Sequence, residues 1–138
     1  MRPVLLPAAA GTVASVAALA LLARAEGAGA VQPLNATSHW LHGPGAAAIT
    51  RTDGRHTVVG FATHAAATLF WAAVWAAWPG RRRPGALGMA ALAAVVDYTV
   101  TPRRFTPGWE LVLSRPAMAV TYAAMGLGFR AGAHLVHR

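Results

Sequence analysis

The sequence contains no cysteine. A disulfide, a thiolate metal site and an iron–sulfur cluster are therefore excluded, as is haem attached covalently through cysteine. Histidine and carboxylate side chains then remain as candidate ligands of a metal ion. Only six histidines and four acidic residues are present to serve that purpose.

Lysine is also absent, and acidic residues are scarce. All twelve basic residues are arginine, and together with the four acids they leave a formal net charge of +8. Binding to nucleic acid would place such charge on one continuous face. The arginines instead lie at the ends of apolar runs, where they would meet lipid headgroups. We therefore predict the lipid bilayer, and no nucleic acid, as the partner of this surface.

Charged residues make up only 12% of the chain, whereas 56% of its residues are hydrophobic. Globular proteins have about 25% charged and about 45–50% apolar residues. A helix that crosses a hydrocarbon core of about 30 Å needs about 20 residues. Four apolar runs of about that length are present, at residues 4–23, 57–78, 85–101 and 116–133. They lack the continuous polar stripe that each helix of a soluble bundle requires.

We therefore predict an all-α fold in which a four-transmembrane-helix bundle forms a single integral membrane domain over residues 1–138. The first run has features of a signal peptide, because Arg2 precedes it and residues 28–30 resemble a cleavage site. Its apolar stretch is longer than the roughly 7–15 residues of a signal sequence, so we predict an uncleaved helix.

Short interfacial helices are predicted in the two outer connections, at residues 34–42 and 108–113. Asn35 would cap the first of them. Thr106, followed by proline, would begin the second, and Ser114 offers a start for the last span.

The orientation follows from Arg81, Arg82 and Arg83, which lie together in a short loop after the second run. Short loops rich in arginine remain in the cytoplasm. When all twelve arginines are counted, six lie on each side, so the prediction depends on the clustering of these three. We predict a multi-pass protein of the bacterial inner membrane with both termini in the cytoplasm. The predicted membrane-surface anchors are Arg81, Arg82, Arg83, Trp78 and Trp109.

Helix packing is indicated by two patterns. A stripe at helical spacing in the second run combines polar and aromatic residues and should face other helices. It consists of Thr57, His64, Thr68, Trp71, Trp75 and Trp78. Small residues that recur every four positions would permit close approach of helices within lipid. They are Ala10, Ala14 and Ala18 in the first run and Ala124, Gly128 and Gly132 in the last.

His64 and Asp97 are ionisable residues inside apolar runs, and such residues in a membrane indicate function. In the predicted topology both lie toward the outer side, so they could form a pair that shuttles protons. The structural alternative is that Asp97 turns toward Arg103 or Arg104 while His64 bonds a backbone carbonyl.

A wider candidate cluster comprises His39, His42, His64, Asp97 and Glu110. On a helix, His39 and His42 would point the same way, and with His64 they are candidate ligands of a zinc- or iron-type site. Scattered histidines near a membrane surface are usually amphipathic surface residues, and no HExxH motif is present. The sequence does not determine a cofactor, and we favour the prediction that the protein has none.

Five short blocks resemble a group of small four-span membrane proteins of bacteria. They are LNATSHWL at residues 34–41, HTxxG at 56–60, FWA at 70–72, VDY at 96–98 and TPGWExxLS at 106–114. The resemblance extends over about residues 34–132. It implies the four-span topology and implies no particular activity.

The first functional hypothesis is a non-enzymatic membrane component, which either self-associates or serves as a subunit of a larger membrane complex. One alternative is a small metal- or haem-binding redox protein with its site at the outer face. Another is a subunit of a proton-coupled transporter, which would need an oligomer because one chain offers few helices.

Overall fold

The computed structural model describes residues 3–136, and this part of the chain is helical with no β-strand. The predicted all-α class is confirmed. The helices are α1 (Leu5–Ala25), α2 (Gln32–Thr37), α3 (His39–His42), α4 (Val59–Ala77), α5 (Ala86–Val95) and α6 (Arg115–Val136). Single 3₁₀ turns lie at Pro44–Ala48, Arg103–Phe105 and Trp109–Leu111, and π-helical turns at Gly54–Val58 and Val96–Val100.

Each of the four apolar runs is helical, and two of the described helices are both long and apolar enough to cross a membrane. They are Leu5–Ala25 and Gly54–Ala77, and the second consists of α4 and the π-helical turn that precedes it. The apolar helix Ala86–Val100 is shorter. The last helix is long enough at 22 residues, but it carries both Arg115 and Arg130. Core helices of soluble proteins and N-terminal signal sequences can have the same length and apolar composition as a membrane span.

Helix α6 packs along α1 at a very short distance between backbones. A Cβ atom added at Gly128 would lie 2.5 Å from the carbonyl oxygen of Ala10, and one at Gly132 would overlap that of Leu6. Conversely, a Cβ at Gly11 would lie 2.6 Å from the ring of Phe129. Two of the small residues predicted to mediate packing, Gly128 and Gly132, therefore do so on α6, because only glycine leaves room for the facing helix.

The predicted stripe on α4 faces the other helices. His64, Thr68 and Trp75 are buried, and Trp71 and Trp78 are partly buried against the core. The opposite faces of the helices carry large exposed apolar side chains. They include Leu5, Leu6, Val13 and Leu21 on α1, Phe61, Leu69 and Phe70 on α4, Leu87 and Val95 on α5, and Val120, Leu127 and Leu135 on α6.

Residues 26–58 and 101–114 form a layer over one end of the long helices, which we call the cap. Asn35 lies at its centre and is fully buried. Its amide donates to the carbonyl oxygens of Ile49 (2.7 Å) and Arg51 (3.0 Å), and its oxygen accepts from the hydroxyl of Thr57 (2.7 Å). The prediction that Asn35 caps a helix is wrong, because Asn35 lies inside α2 and instead joins three segments of the cap.

The second outer connection folds inward. The predicted helix at residues 108–113 is reduced to the 3₁₀ turn Trp109–Leu111, and Gly108 before it has φ of 81°. Trp109 is only 2% exposed, and its indole N–H donates to the hydroxyl of Thr37 (3.1 Å). The prediction of Trp109 as a surface anchor is therefore wrong. The left-handed conformation at Gly108 directs the following turn beneath α2.

The loop between α4 and α5 is organised by Arg83. Its guanidinium lies 3.9 Å from the ring centroid of Trp75, and its Nε donates to the Trp75 carbonyl oxygen (2.7 Å). The Trp75 indole donates in turn to the carbonyl oxygen of Pro84 (2.9 Å). Arg81 and Arg82 are exposed, and their role as membrane anchors stays a prediction. Residues 1, 2, 137 and 138, at the predicted cytoplasmic termini, lie outside the described part of the chain.

The start of α6 is tied to the end of α1. Ser114 precedes α6, as predicted, and its hydroxyl oxygen accepts from the N–H of Ala117 (3.3 Å). The carboxylate of Glu26 accepts hydrogen bonds from the hydroxyl and the backbone N–H of Ser114. These two bonds lower the pKa of the Glu26 carboxyl below its ordinary value of 4.5.

Stability should therefore depend on the ionisation of Glu26. Because its pKa is lower in the folded state, the stabilisation is present above the ordinary pKa and is lost as the pH falls through the lowered value. We expect Glu26→Gln to lower the melting temperature at pH 7, with a difference from the wild type that shrinks below about pH 4.5. In a Ser114→Ala background, the substitution should have a smaller effect. An unchanged melting temperature at pH 7 would show that this contact does not stabilise the fold.

Glycine at position 60 should be essential for the packing of α2 against α4. A Cβ there would overlap the carbonyl oxygen of Leu34, so Gly60→Ala must displace backbone and should destabilise the fold by about 2 kcal/mol or more. Gly88→Ala is the matched control, because Gly88 is exposed within α5 and a Cβ there meets only the Pro84 side chain at 3.4 Å. The control should be neutral or stabilising by about 0.5–1 kcal/mol. Thermal unfolding in detergent compares the two variants, and equal melting temperatures would contradict the described contact.

Candidate functional site

A cavity of about 530 Å³ lies beneath the cap, between α4 and the turn Val96–Val100. Its walls carry six aromatic rings, those of Trp40, Phe70, Trp71, Phe105, Trp109 and Tyr122. The polar side chains in its lining are those of Thr37, Thr63, His64, Thr68, Asp97 and Thr101. Two of the five residues of the predicted functional cluster, His64 and Asp97, therefore line one space.

His64 is held by a residue of α1. Its Nε2 lies 2.8 Å from Oγ of Ser15, and the side chain is only 5% exposed. The same Oγ lies 2.8 Å from the carbonyl oxygen of Gly11 and can donate its single proton there. We therefore assign the Nε2–H tautomer, in which the imidazole donates to Ser15 and keeps an acceptor at Nδ1. The predicted partners of His64, a backbone carbonyl or Asp97, are replaced by this hydroxyl.

Asp97 lies in the π-helical turn that continues α5, at the edge of the cavity. The hydroxyl of Tyr122, on α6, donates to Oδ2 of Asp97 at 2.6 Å. Among the described residues, no other side chain forms a hydrogen bond with this carboxylate, and neither Arg103 nor Arg104 forms an ion pair with it. A π-helical turn widens the helix locally and is frequent at functional sites.

The two ionisable residues share the cavity but do not form a pair. Trp109 contacts both His64 and Tyr122, the partner of Asp97, with its ring centroid 5.4 Å from that of His64 and 5.3 Å from that of Tyr122. The predicted direct relay from Asp97 to His64 is therefore not formed in this structure. The two groups instead lie at separate positions in the wall of the cavity.

The remaining candidates lie elsewhere in the cap. The Nδ1–H of His39 bonds the carbonyl oxygen of Ala36 (2.9 Å), and Nε2 of His42 lies 3.0 Å from that of Arg55. Glu110 accepts from the hydroxyl of Thr106 (2.7 Å). His39 folds back onto α2, and α3 ends after a single turn at Gly43, so the two histidines face different segments.

The described residues contain no group of three or more His, Asp or Glu side chains that could hold a metal ion. The structure therefore does not bring His39, His42 and His64 together as ligands. His42 instead packs its ring against that of His56, 5.0 Å away, and Nδ1 of His56 lies 3.0 Å from Oδ2 of Asp53.

A second, more polar groove of about 1180 Å³ lies between the cap and the helices α5 and α6, and it adjoins the cavity, since Trp40, Thr101 and Tyr122 line both. His39 and Glu110 line this groove together with Arg103, Arg104 and Arg115. Its positive charge separates it in character from the aromatic cavity, whose lining contains no arginine.

Several residues that shape the cavity were not predicted. Ser15 is a polar residue in an apolar run, which in a membrane helix indicates a contact with another helix. Tyr122 could have been singled out in the same way. Trp109 could not, because its inward position depends on the conformation of Gly108 and on contacts with α2.

Comparisons of the chain with protein-family models, with curated proteins and with solved structures gave no match. The interpretation of the site therefore depends on the geometry of the described residues.

The hydrogen bond between Ser15 and His64 should contribute to stability. Ser15→Ala would leave the buried imidazole N–H without a partner, and we expect a loss of about 1–3 kcal/mol. Thr68→Val is the control, because the buried Thr68 hydroxyl donates only to the His64 carbonyl oxygen of its own helix (2.9 Å). That substitution keeps the shape of the side chain and leaves no orphaned group, so its effect should be below about 1 kcal/mol. Equal losses in the two variants, measured by thermal unfolding, would contradict the assigned role of Ser15.

Proposed function

We propose that this protein is a four-span protein of the bacterial inner membrane. In this proposal it acts as a non-enzymatic binding component, alone or as a subunit of a larger complex. The cavity beneath the cap is the binding site.

The observation that carries the proposal is the distribution of polar and apolar side chains. Polar residues such as Ser15, His64, Thr68 and Thr121 are buried between helices, whereas large apolar residues are exposed around them. Only 33% of the apolar stretch of α1 and 22% of that of Gly54–Ala77 are buried. In water, exposed apolar surface on this scale would promote association. In lipid it meets acyl chains, and small or polar residues drive helix packing instead.

Four spans are supported by the lengths of the helices. At 1.5 Å per residue, α1 and α6 extend about 30 Å, which matches the hydrocarbon core. The helix Ala86–Val100 extends only about 22 Å, so it would cross with local thinning of the bilayer or with its end below the outer surface. Asp97 and the cavity would then lie within the outer leaflet.

The orientation is supported by the positions of the charges. The loop with Arg81, Arg82 and Arg83 lies at the end of the molecule opposite the cap, and the positive-inside rule places it in the cytoplasm. All four acidic residues lie in the cap or next to it, and the cap would then face the periplasm.

Binding is favoured over hydrolysis by the environment of Ser15. A serine that hydrogen-bonds a histidine resembles an activated nucleophile. The Ser15 side chain, however, is fully buried and outside the cavity lining, so a ligand in the cavity cannot reach it. Ser15 therefore positions the His64 ring through Nε2, and Nδ1 is not engaged by Ser15.

The absence of cysteine allows a direct test, because each introduced cysteine is the sole thiol of the chain. Gly54→Cys reports on the first half of the cap and Leu111→Cys on the second, and both sites are exposed. Gly85→Cys reports on the opposite loop, where a side chain meets open space. Leu69→Cys lies on the exposed apolar face of α4.

In spheroplasts treated with a membrane-impermeant maleimide, we expect labelling at positions 54 and 111. Position 85 should be labelled only after permeabilisation, and position 69 should resist labelling in both conditions. If positions 85 and 111 behave alike, the helix Ala86–Val100 does not cross. Recovery of the protein in the soluble fraction would overturn the membrane assignment itself.

A further inference from the structure

We infer that the cavity beneath the cap binds a small organic cation, of the substituted-ammonium class. The inference deepens the proposed function, because it names the chemistry of the ligand for the same site. It is carried by three features of the cavity wall, which are its charge, its aromatic rings and the free hydrogen-bonding atoms of its polar groups.

The charge of the cavity is opposite to that of the chain. The formal net charge is +8, yet no arginine lies in the described lining, and Asp97 is the acidic residue that does. Arg103, Arg104 and Arg115 line the adjoining groove instead. An anion in the cavity would face a carboxylate, whereas a neutral apolar ligand would bury that carboxylate without a new partner. A cation alone both fills the space and pairs with Asp97.

The aromatic wall strengthens the same selectivity. Six aromatic side chains line the cavity. Tyr122 donates to the carboxylate of Asp97, and the ring of Trp109 lies 5.3 Å from that of Tyr122. The faces of aromatic rings carry partial negative charge and attract a cation within about 6 Å, most strongly for tryptophan. The alkyl or aryl substituents of such a cation would contact the same rings.

The polar groups that line the cavity retain acceptors. Tyr122 donates to Oδ2 of Asp97, and no described residue donates to Oδ1. In the assigned tautomer, the N–H of His64 donates to Ser15, and the hydroxyl of Thr68 donates to the His64 carbonyl oxygen. Acceptors without matching donors suit a ligand that brings N–H groups or positive charge.

The size and the opening of the cavity suit such a ligand. A volume of about 530 Å³ falls within the range of about 300–1,000 Å³ that is typical of small-molecule sites. Two lining residues, Phe70 at 59% and Phe105 at 46% exposure, lie at its edge. Entry there would be lateral, between α4 and the turn Val96–Val100, and a cation with apolar substituents could approach from the bilayer.

The test uses two probes of the same shape. Benzyltrimethylammonium is the cation, and neopentylbenzene is its neutral isostere, in which carbon replaces nitrogen. Binding to the full chain is measured by tryptophan fluorescence and by calorimetry. The protein is held in a maltoside detergent, because zwitterionic detergents carry ammonium groups themselves.

We expect saturable binding of the cation, with the isostere at least about tenfold weaker, a difference of about 1.4 kcal/mol. Asp97→Asn keeps an oxygen that can accept from Tyr122 but removes the charge, so it should weaken cation binding about tenfold. Glu110→Gln is the matched control, because Glu110 lies outside the cavity lining, and it should bind the cation as the wild type does.

Absence of saturable cation binding would overturn the inference, and so would equal affinity of the wild type for both probes. Unchanged affinity in a folded Asp97→Asn variant would have the same meaning. If that variant fails to fold, the comparison of the two probes on the wild type still decides the question. Cysteine labelling tests the membrane topology independently, so failure here is distinguishable from failure of the proposed topology.

Discussion

The burial of polar side chains between helices whose outer faces are apolar is the constraint on which the rest of the structure depends. Thr68 and Thr121 are buried and bond carbonyl oxygens of their own helices, and Ser15 bonds both its own helix and His64. The outer faces expose leucine, valine and phenylalanine instead. Such helices gain little by burying apolar surface against one another in lipid, so they need close backbone contact. Gly128 and Gly132 provide that contact with α1.

The same constraint produces the cavity. Helix α6 packs closely on α1 through its glycines, and its Tyr122 holds Asp97 at the end of α5. The hydrogen bond between His64 and Ser15 joins α4 to α1. A space remains between α4 and the end of α5, and Trp109 lines it. Because each ionisable residue has its own neutral partner, the two are fixed on separate parts of the wall and leave room for a ligand between them.

The sequence predicted what depends on local periodicity and composition. The stripe of His64, Thr68 and Trp75 was predictable because side chains three to four positions apart share one face of a helix. The inward position of Trp109 was not, since it depends on the left-handed backbone at Gly108 and on the distant hydroxyl of Thr37. The same holds for His39, whose ring bonds the preceding turn instead of meeting His64.

The most direct test of this account is a nitroxide scan along α4, with single cysteines from position 61 to position 75 and the protein reconstituted in lipid vesicles. Accessibility to oxygen, which partitions into lipid, should vary with a period of about 3.6 residues. Its maxima should lie at Leu69 and Ala73, which are exposed, and its minima at His64 and Thr68, which are buried. Accessibility to a water-soluble nickel complex should stay low throughout. High accessibility to the nickel complex on the outer face, or the absence of a helical period, would contradict a membrane helix with a polar inner stripe.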